Sequence, residues 1–225
     1  MRQQRLWTQQ KGLQIFKIGI LIQKEFLNNM EQNFDLTKLT PDIRRLDELK
    51  GLLFDKEWEK TASNLDLYYM YRILQEKDGL RYDITRIPAK MLGTEFVKTK
   101  GHTHAGFYGE MYIVLEGEGF YFMQKGDENK VEDVVVVKAK KGDVIAVPAG
   151  YGHVTINPSK TEELKMANWV KKEDKGNFSL FEKMGGACYY YTEDGWIKNE
   201  NYKNVPELRF EEPLKEIPQD LSFLK

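Results

Sequence analysis

A chain of 225 residues with 34 Lys+Arg against 35 Asp+Glu has ample length for one core-bearing domain and no net field to draw it to nucleic acid or an anionic bilayer. Its single cysteine, Cys188, rules out an internal disulfide and points to a reducing, cytoplasmic setting. Cys188 itself reads as a packed residue, because no histidine follows it to act as its base.

In chain order, residues 1–29 read as an extension without assigned function. Arg2 and Arg5 precede an apolar patch over 15–22 that Lys17 interrupts and Lys24 ends. The patch falls short of the about 20 apolar residues of a bilayer span, and no small-x-small cleavage site follows it cleanly. Met30 is an alternative start, and residues 30–225 are expected to form a single domain with its barrel core over about 67–200. Between 33 and 50, Leu36, Leu39, Ile43, Leu46 and Leu49 recur at helical steps, and Thr40-Pro41-Asp42 reads as a helix start capped by Thr40. A second helical turn is expected over 55–62, both pieces packing outside a sheet.

From residue 67 onward the texture is that of strands. Residues 67–74 are aromatic and β-branched, 80–87 alternate cleanly up to Pro88, and 96–104 form another extended run. Shorter runs follow at 111–115, 120–123, 131–137, 144–147, 153–156 and 164–170, each bounded by glycine, proline or a polar turn. Many short strands at this spacing indicate a sandwich or barrel and not a parallel α/β sheet. A last hairpin is expected over 189–197, and the tail after Pro206 reads as a surface strap.

All three histidines of the chain, His102, His104 and His153, lie within residues 100–157. Alternation along a strand puts His102 and His104 on one face. Glu110 opens the strand that returns from the loop 105–109, sharing a face with Tyr112 and Val114, and His153 would come from another wall. Three imidazoles and one carboxylate are the donor set that divalent iron, nickel, manganese or zinc accepts.

The spacing around these residues resembles the cupin family. Gly142, five residues, Pro148, one residue, Gly150, two residues, His153, three residues and Asn157 match its second motif. His102-x-His104, Glu110 and, six residues on, Gly117 resemble its first, with five residues between His104 and Glu110 where most cupins have three or four. Within cupins the chain is most similar to the cupin-type phosphoglucose isomerases: Thr99-Lys100-Gly101-His102-Thr103-His104, Glu110-Met111-Tyr112, Val147-Pro148 up to His153, and an upstream Arg44-Arg45-Leu46. The resemblance implies an all-β (mainly) cupin-type double-stranded β-barrel, or jelly roll, with short peripheral helices.

It also implies a metal-dependent aldose–ketose isomerase interconverting glucose 6-phosphate and fructose 6-phosphate, a step of glycolysis and gluconeogenesis. One divalent ion per subunit would be held by His102, His104, Glu110 and His153, with Glu110 also the catalytic base. The substrate would be contacted by Thr85, Thr99, Gly101 and Tyr112. Strict alternation turns Thr99 away from His102, so its role requires a bulge, at Gly101; Lys100 is the competing candidate on the histidine face. A homodimer is expected, since cupin barrels pair through exchanged edge strands and the strand over 67–74 would need covering.

One departure stands out. After the second motif the family continues into a tyrosine and then a histidine that frame the substrate, whereas this chain reads Ala167-Asn168-Trp169-Val170 and has no histidine after His153. Two other readings share the same ligands: a cupin dioxygenase or decarboxylase using iron or manganese, and a non-catalytic sugar-binding cupin. Oxygen chemistry favours a dry, apolar pocket; Thr85, Thr99 and Lys100 tilt the balance towards a sugar.

Overall fold

A computed structural model describes residues 34–225; the expected extension over 1–29 and the alternative start at Met30 lie outside the described residues. Strands run in chain order as β1 (Asp42–Arg45), β2 (Asp66–Lys77), β3 (Leu80–Ile87), β4 (Met91–Leu92), β5 (Glu95–Phe96), β6 (Glu110–Glu116) and β7 (Glu118–Gly126). They continue as β8 (Val131–Lys140), β9 (Val144–Val147), β10 (Gly152–Ile156), β11 (Leu164–Lys171), β12 (Tyr189–Thr192), β13 (Gly195–Lys198) and β14 (Arg209–Glu211). Two short helices join them, α1 (Lys56–Thr61) and α2 (Ser179–Met184). Among the described residues no helix is long and apolar enough to cross a membrane.

One sheet has the order β1-β2-β3-β11-β6-β9 and a second the order β10-β7-β8-β14, while β13-β12-β5-β4 form a smaller third. The segment after β5 extends the second sheet by pairing with β10 through bridges Lys98↔Ile156 and His102↔His153. From β6 onward the chain crosses repeatedly between the two facing sheets, β6, β9 and β11 lying in the first and β7, β8 and β10 in the second, which is the all-β jelly roll expected of the sequence. The run expected over 96–104 is extended but regular only at its start, because Gly101 breaks it.

Alternation sorts the core into three layers. Between the sheets lie Tyr112, Val114, Tyr121, Met123, Val135, Val137, Leu164 and Met166. Met111, Ile113, Tyr82 and Trp169 point the other way, onto Phe34, Leu36, Ile217 and Leu224 from the two ends of the described chain. Phe122, Val134, Val136 and Val154 form the outer face of the second sheet, covered by α2 and the β12–β13 hairpin. Cys188 is buried in that last layer, where burial pushes its thiol pKa far up and leaves it unreactive.

Two expectations need correction. Thr40-Pro41-Asp42 does not start a helix: Asp42–Arg45 is a strand antiparallel to β2, with Ile43 opposite Tyr69. The helical spacing is used only in the 3-10 turns Leu36–Lys38 and Leu46–Leu49; before the second, Glu48 Oε1 accepts the Arg45 N–H, and the two leucines of that turn are fully buried. The backbone hydrogen bonds offered by the open edge of β2 outweigh local periodicity here. The second helical turn stands, as α1 with Asp55 as its cap. The tail is more than a surface strap, since β14 adds parallel to β8, Leu214 bridges to Val144, and Ile217 and Leu224 are buried.

Candidate metal centre

The turn from β9 into β10, at Pro148–Gly150, carries the chain from the first sheet to the second, so Glu110 and His153 face each other across the interior. Glu110 Oε2 lies 3.0 Å from His153 Nε2 and 3.7 Å from His104 Nε2. His102 completes the group, its ring centroid 4.4 Å from that of His153 and 5.4 Å from that of His104. One ligand atom from each of the four residues falls within 4.8 Å of the others. All four ligand candidates thus converge from separated segments.

The donor set fits a divalent cation. His104 Nε2 is buried with no hydrogen-bond partner, and buried Glu110 Oε2 makes no well-aligned hydrogen bond despite lying 3.0 Å from His153 Nε2, a costly state for polar atoms in a protein interior. A cation between them would satisfy both. Burial, and then the neighbouring His153, push the His102 pKa down to about 3, so its imidazole is neutral at physiological pH and has a lone pair to offer. Burial works against the charge on Glu110 as well, but the three imidazoles outweigh it and the carboxyl pKa is lowered. A metal takes the carboxylate charged, as Glu110 is favoured to be, and its imidazoles neutral, as His102 already is.

Gly101 is the bulge that the ligand strand needs. Its φ is +78°, and a Cβ there would sit 2.6 Å from Val154 Cγ2, so neither the conformation nor the space admits a side chain. Through this irregularity Thr99, Lys100, Gly101 and His102 all line the same pocket, together with Thr85, Glu110, Tyr112 and His153. Thr85 points inward from β3, level with Met70 and Met166. Thr99 Oγ1 accepts the N–H of Thr155 at 3.0 Å. The Tyr112 hydroxyl is 3.1 Å from His153 Nε2, with its ring against Tyr121.

Several pocket residues had no signal in the spacing of the chain. Asn168, at the point where the family pattern is broken, donates through Nδ2 to Glu110 Oε1 at 2.6 Å. Asp174 takes up the second nitrogen of His104, Nδ1, at 3.1 Å. Arg81 donates through Nε to Asp83 at 2.8 Å, and both are buried. Arg44, from β1, lines the same pocket; its Nη1 is paired with Glu48, while its Nε is buried without a hydrogen-bond partner. These groups come from distant parts of the chain; in the sequence only Arg44, within the Arg44-Arg45-Leu46 match, and Asn168, as a departure, were conspicuous.

Comparison with known proteins gives a family match and a set of distant structural similarities. A family model described as glucose-6-phosphate isomerase (GPI) matches residues 43–207. No curated protein sequence matches the chain. Among solved structures, vicilin from Solanum lycopersicum (tomato) is 17% identical with a TM-score of 0.36, over 46% of this chain and 28% of its own. The capsular polysaccharide assembling protein CapF from Staphylococcus aureus is 14% identical with a TM-score of 0.37, over 46% of this chain and 26% of its own. A predicted oxalate decarboxylase from Thermotoga maritima is 18% identical with a TM-score of 0.38, over 59% of this chain and 92% of its own. The match thus spans little more than a quarter of the length of vicilin and CapF.

Proposed function

The chain belongs to the glucose-6-phosphate isomerase family, and from that premise we propose that it interconverts glucose 6-phosphate and fructose 6-phosphate with a divalent ion held by His102, His104, Glu110 and His153. The observation that supports this reading is the pairing of that ligand cluster with a cationic wall in one pocket. An aldose–ketose pair bearing a phosphate has the two ends such a pocket would recognise. The bound ion, iron, nickel, manganese or zinc, would act as a Lewis acid on the substrate's carbonyl and neighbouring hydroxyl oxygens.

The chain's own residues then have separable tasks. Arg44 Nε is an orphaned buried donor, and a phosphate oxygen would satisfy it with a charge-assisted hydrogen bond. Lys100, paired at 2.7 Å with Glu182, adds a second cation on that wall. Thr99 accepts a hydrogen bond from Thr155 N, which leaves its hydroxyl proton to be donated outward to the phosphate. Thr85 and the Gly101 backbone would complete the seat, and the Tyr112 hydroxyl, 3.1 Å from His153 Nε2, would contact a sugar oxygen.

Glu110 would be the carboxylate that carries the proton between adjacent carbons. Its Oε1 is held by Asn168 and its charge is favoured by the imidazoles, so it is a weak base while it stays in the cluster. Proton transfer therefore requires Glu110 to leave the cluster as substrate arrives. Full activity in Glu110→Gln with metal bound would remove the base role. We read residues 30–225 as one catalytic domain that pairs with a second copy; a monomer by light scattering at micromolar concentration would refute the pairing.

The decisive assay couples fructose 6-phosphate consumption to a glucose-6-phosphate dehydrogenase. Turnover should vanish on chelation and return with one of the four metals. No turnover with any of them would overturn the isomerase reading; oxygen consumption, or carbon dioxide release from a small carboxylic acid, would replace it with the dioxygenase or decarboxylase alternative.

A further inference from the structure

Of the three imidazoles in the cluster, His104 alone has a carboxylate at its second nitrogen among the described residues. Asp174 Oδ1 lies 3.1 Å from His104 Nδ1, and the same oxygen accepts the Tyr108 hydroxyl at 2.8 Å. The Asp174 side chain is only 3% exposed. With its Nδ1 proton given to a carboxylate, an imidazole presents the Nε2 lone pair on the other side. That is the atom aimed at Glu110, and it has no other partner.

Asp174 is itself held in place from three directions. Its backbone oxygen accepts from Arg81 Nη1 at 2.7 Å, and the same guanidinium nitrogen reaches the Lys172 oxygen at 2.9 Å. Arg81 is anchored in turn by Asp83. On the far side of the loop, Thr103 and Asn177 exchange both backbone hydrogen bonds, at 2.9 and 2.7 Å, across the ligand strand. Between these anchors Gly176 packs flush on the metal ligands: with φ +68°, a Cβ there would stand 2.9 Å from His102 Cδ2. The loop 171–177 is thus fitted against two of the four ligand residues, with Asp174 as the polar contact and Gly176 as the close one.

We propose that Asp174 is a positioning residue for the metal centre. Its carboxylate fixes the tautomer and ring orientation of His104, and through it the loop 171–177 is coupled to metal occupancy. Asp174 touches no reacting atom. The burial of the Arg81–Asp83 pair has its reason here, since it keeps the loop backbone at the height where the carboxylate meets Nδ1. The proposal rests on the metal reading of the cluster but is independent of which substrate the pocket takes.

The test uses the full chain, stripped of metal and titrated with Co(II) against a chelator of known affinity, while its visible absorption is recorded. Asp174→Asn keeps the shape and removes the charge; it should weaken Co(II) binding about 10- to 100-fold and shift the cobalt band. The melting temperature of the metal-free protein should stay close to that of the wild type. Gly176→Ala, which leaves the carboxylate but displaces the loop, should weaken binding several-fold. Unaltered affinity and spectrum in Asp174→Asn would overturn the proposal. Should that variant not fold, Tyr108→Phe removes one hydrogen bond from the same oxygen and should cost a few-fold in affinity; an unchanged value there overturns it equally. A wild type that binds no Co(II) defeats the metal centre and this proposal together. A wild type that binds Co(II) without isomerising sugar phosphates defeats only the isomerase reading.

Discussion

The two ends of the space between the sheets are built by the same strands and yet share almost no chemistry. Inward side chains along β3 run Ile87, Thr85, Asp83, Arg81; along β11 they run Leu164, Met166, Asn168; along β6 they run Val114, Tyr112, Glu110. The register aligns these series, with Val114 opposite Met166 and Tyr112 opposite Asn168, and with Thr85 and Asp83 next in line. One end is therefore a dry layer of leucine, methionine and valine, and the other a lattice of charges and imidazoles. The apolar end is stabilised by area removed from water, which tolerates imprecision. The polar end is held by directional bonds whose loss leaves buried atoms unsatisfied. A small domain can therefore bear a polar cluster if the same strands anchor themselves at the opposite end.

Truncation at the apolar end should separate stability from function most sharply. Leu164 is fully buried, against Gly119, and Leu164→Ala should lower unfolding free energy by roughly 2–5 kcal/mol by urea denaturation, while the metal affinity of the folded protein stays near wild type. A comparable fall in affinity would show that the two ends are one cooperative unit. At the polar end the converse is expected. His153→Ala should weaken metal binding beyond the roughly 100-fold limit of an outer-sphere change, measured by chelator competition, with the metal-free protein as stable as wild type or more so.

Smaller effects refine the boundary. Asn168→Ala removes the 2.6 Å bond to Glu110 Oε1; the freed carboxylate should cost about tenfold in metal affinity, with little change in melting temperature. The smallest effect lies outside both ends, where Arg209 first, and then the Tyr151 hydroxyl, hold Asp133 at about 2, below its ordinary 3.8. A lowered folded-state value means that this contact stabilises above about pH 3.8 and is lost as pH falls through about 2. The pair is partly solvated, so Arg209→Gln should cost under about 1 kcal/mol at pH 7. That difference should vanish in melts near pH 2 and leave metal affinity untouched.

Much of this division was legible in the chain. The clean alternation over 80–87 corresponds to β3 residue for residue, because a strand with one face on each layer must alternate. The shared face of Glu110, Tyr112 and Val114 follows from the same period, and glycines at 142 and 150 mark backbone with positive φ. The stretch around Ile43 misled, since leucines at helical steps look alike whether or not a neighbouring strand offers hydrogen bonds. Periodicity reports which residues seek burial, and not which backbone partner is within reach.

The sequence by itself determined the alternating strands, the histidine pair on one face, and the positions where only glycine fits, because each depends on sterics or period within a few neighbouring residues. Tertiary structure alone decided that Asp174 meets His104, that Arg44 lines the pocket of the metal cluster, and that residues 42–45 join a sheet. Those contacts join segments that the chain separates by tens of residues. Their energy arises only once two sheets have closed around a common interior, and no local pattern encodes the distance between them.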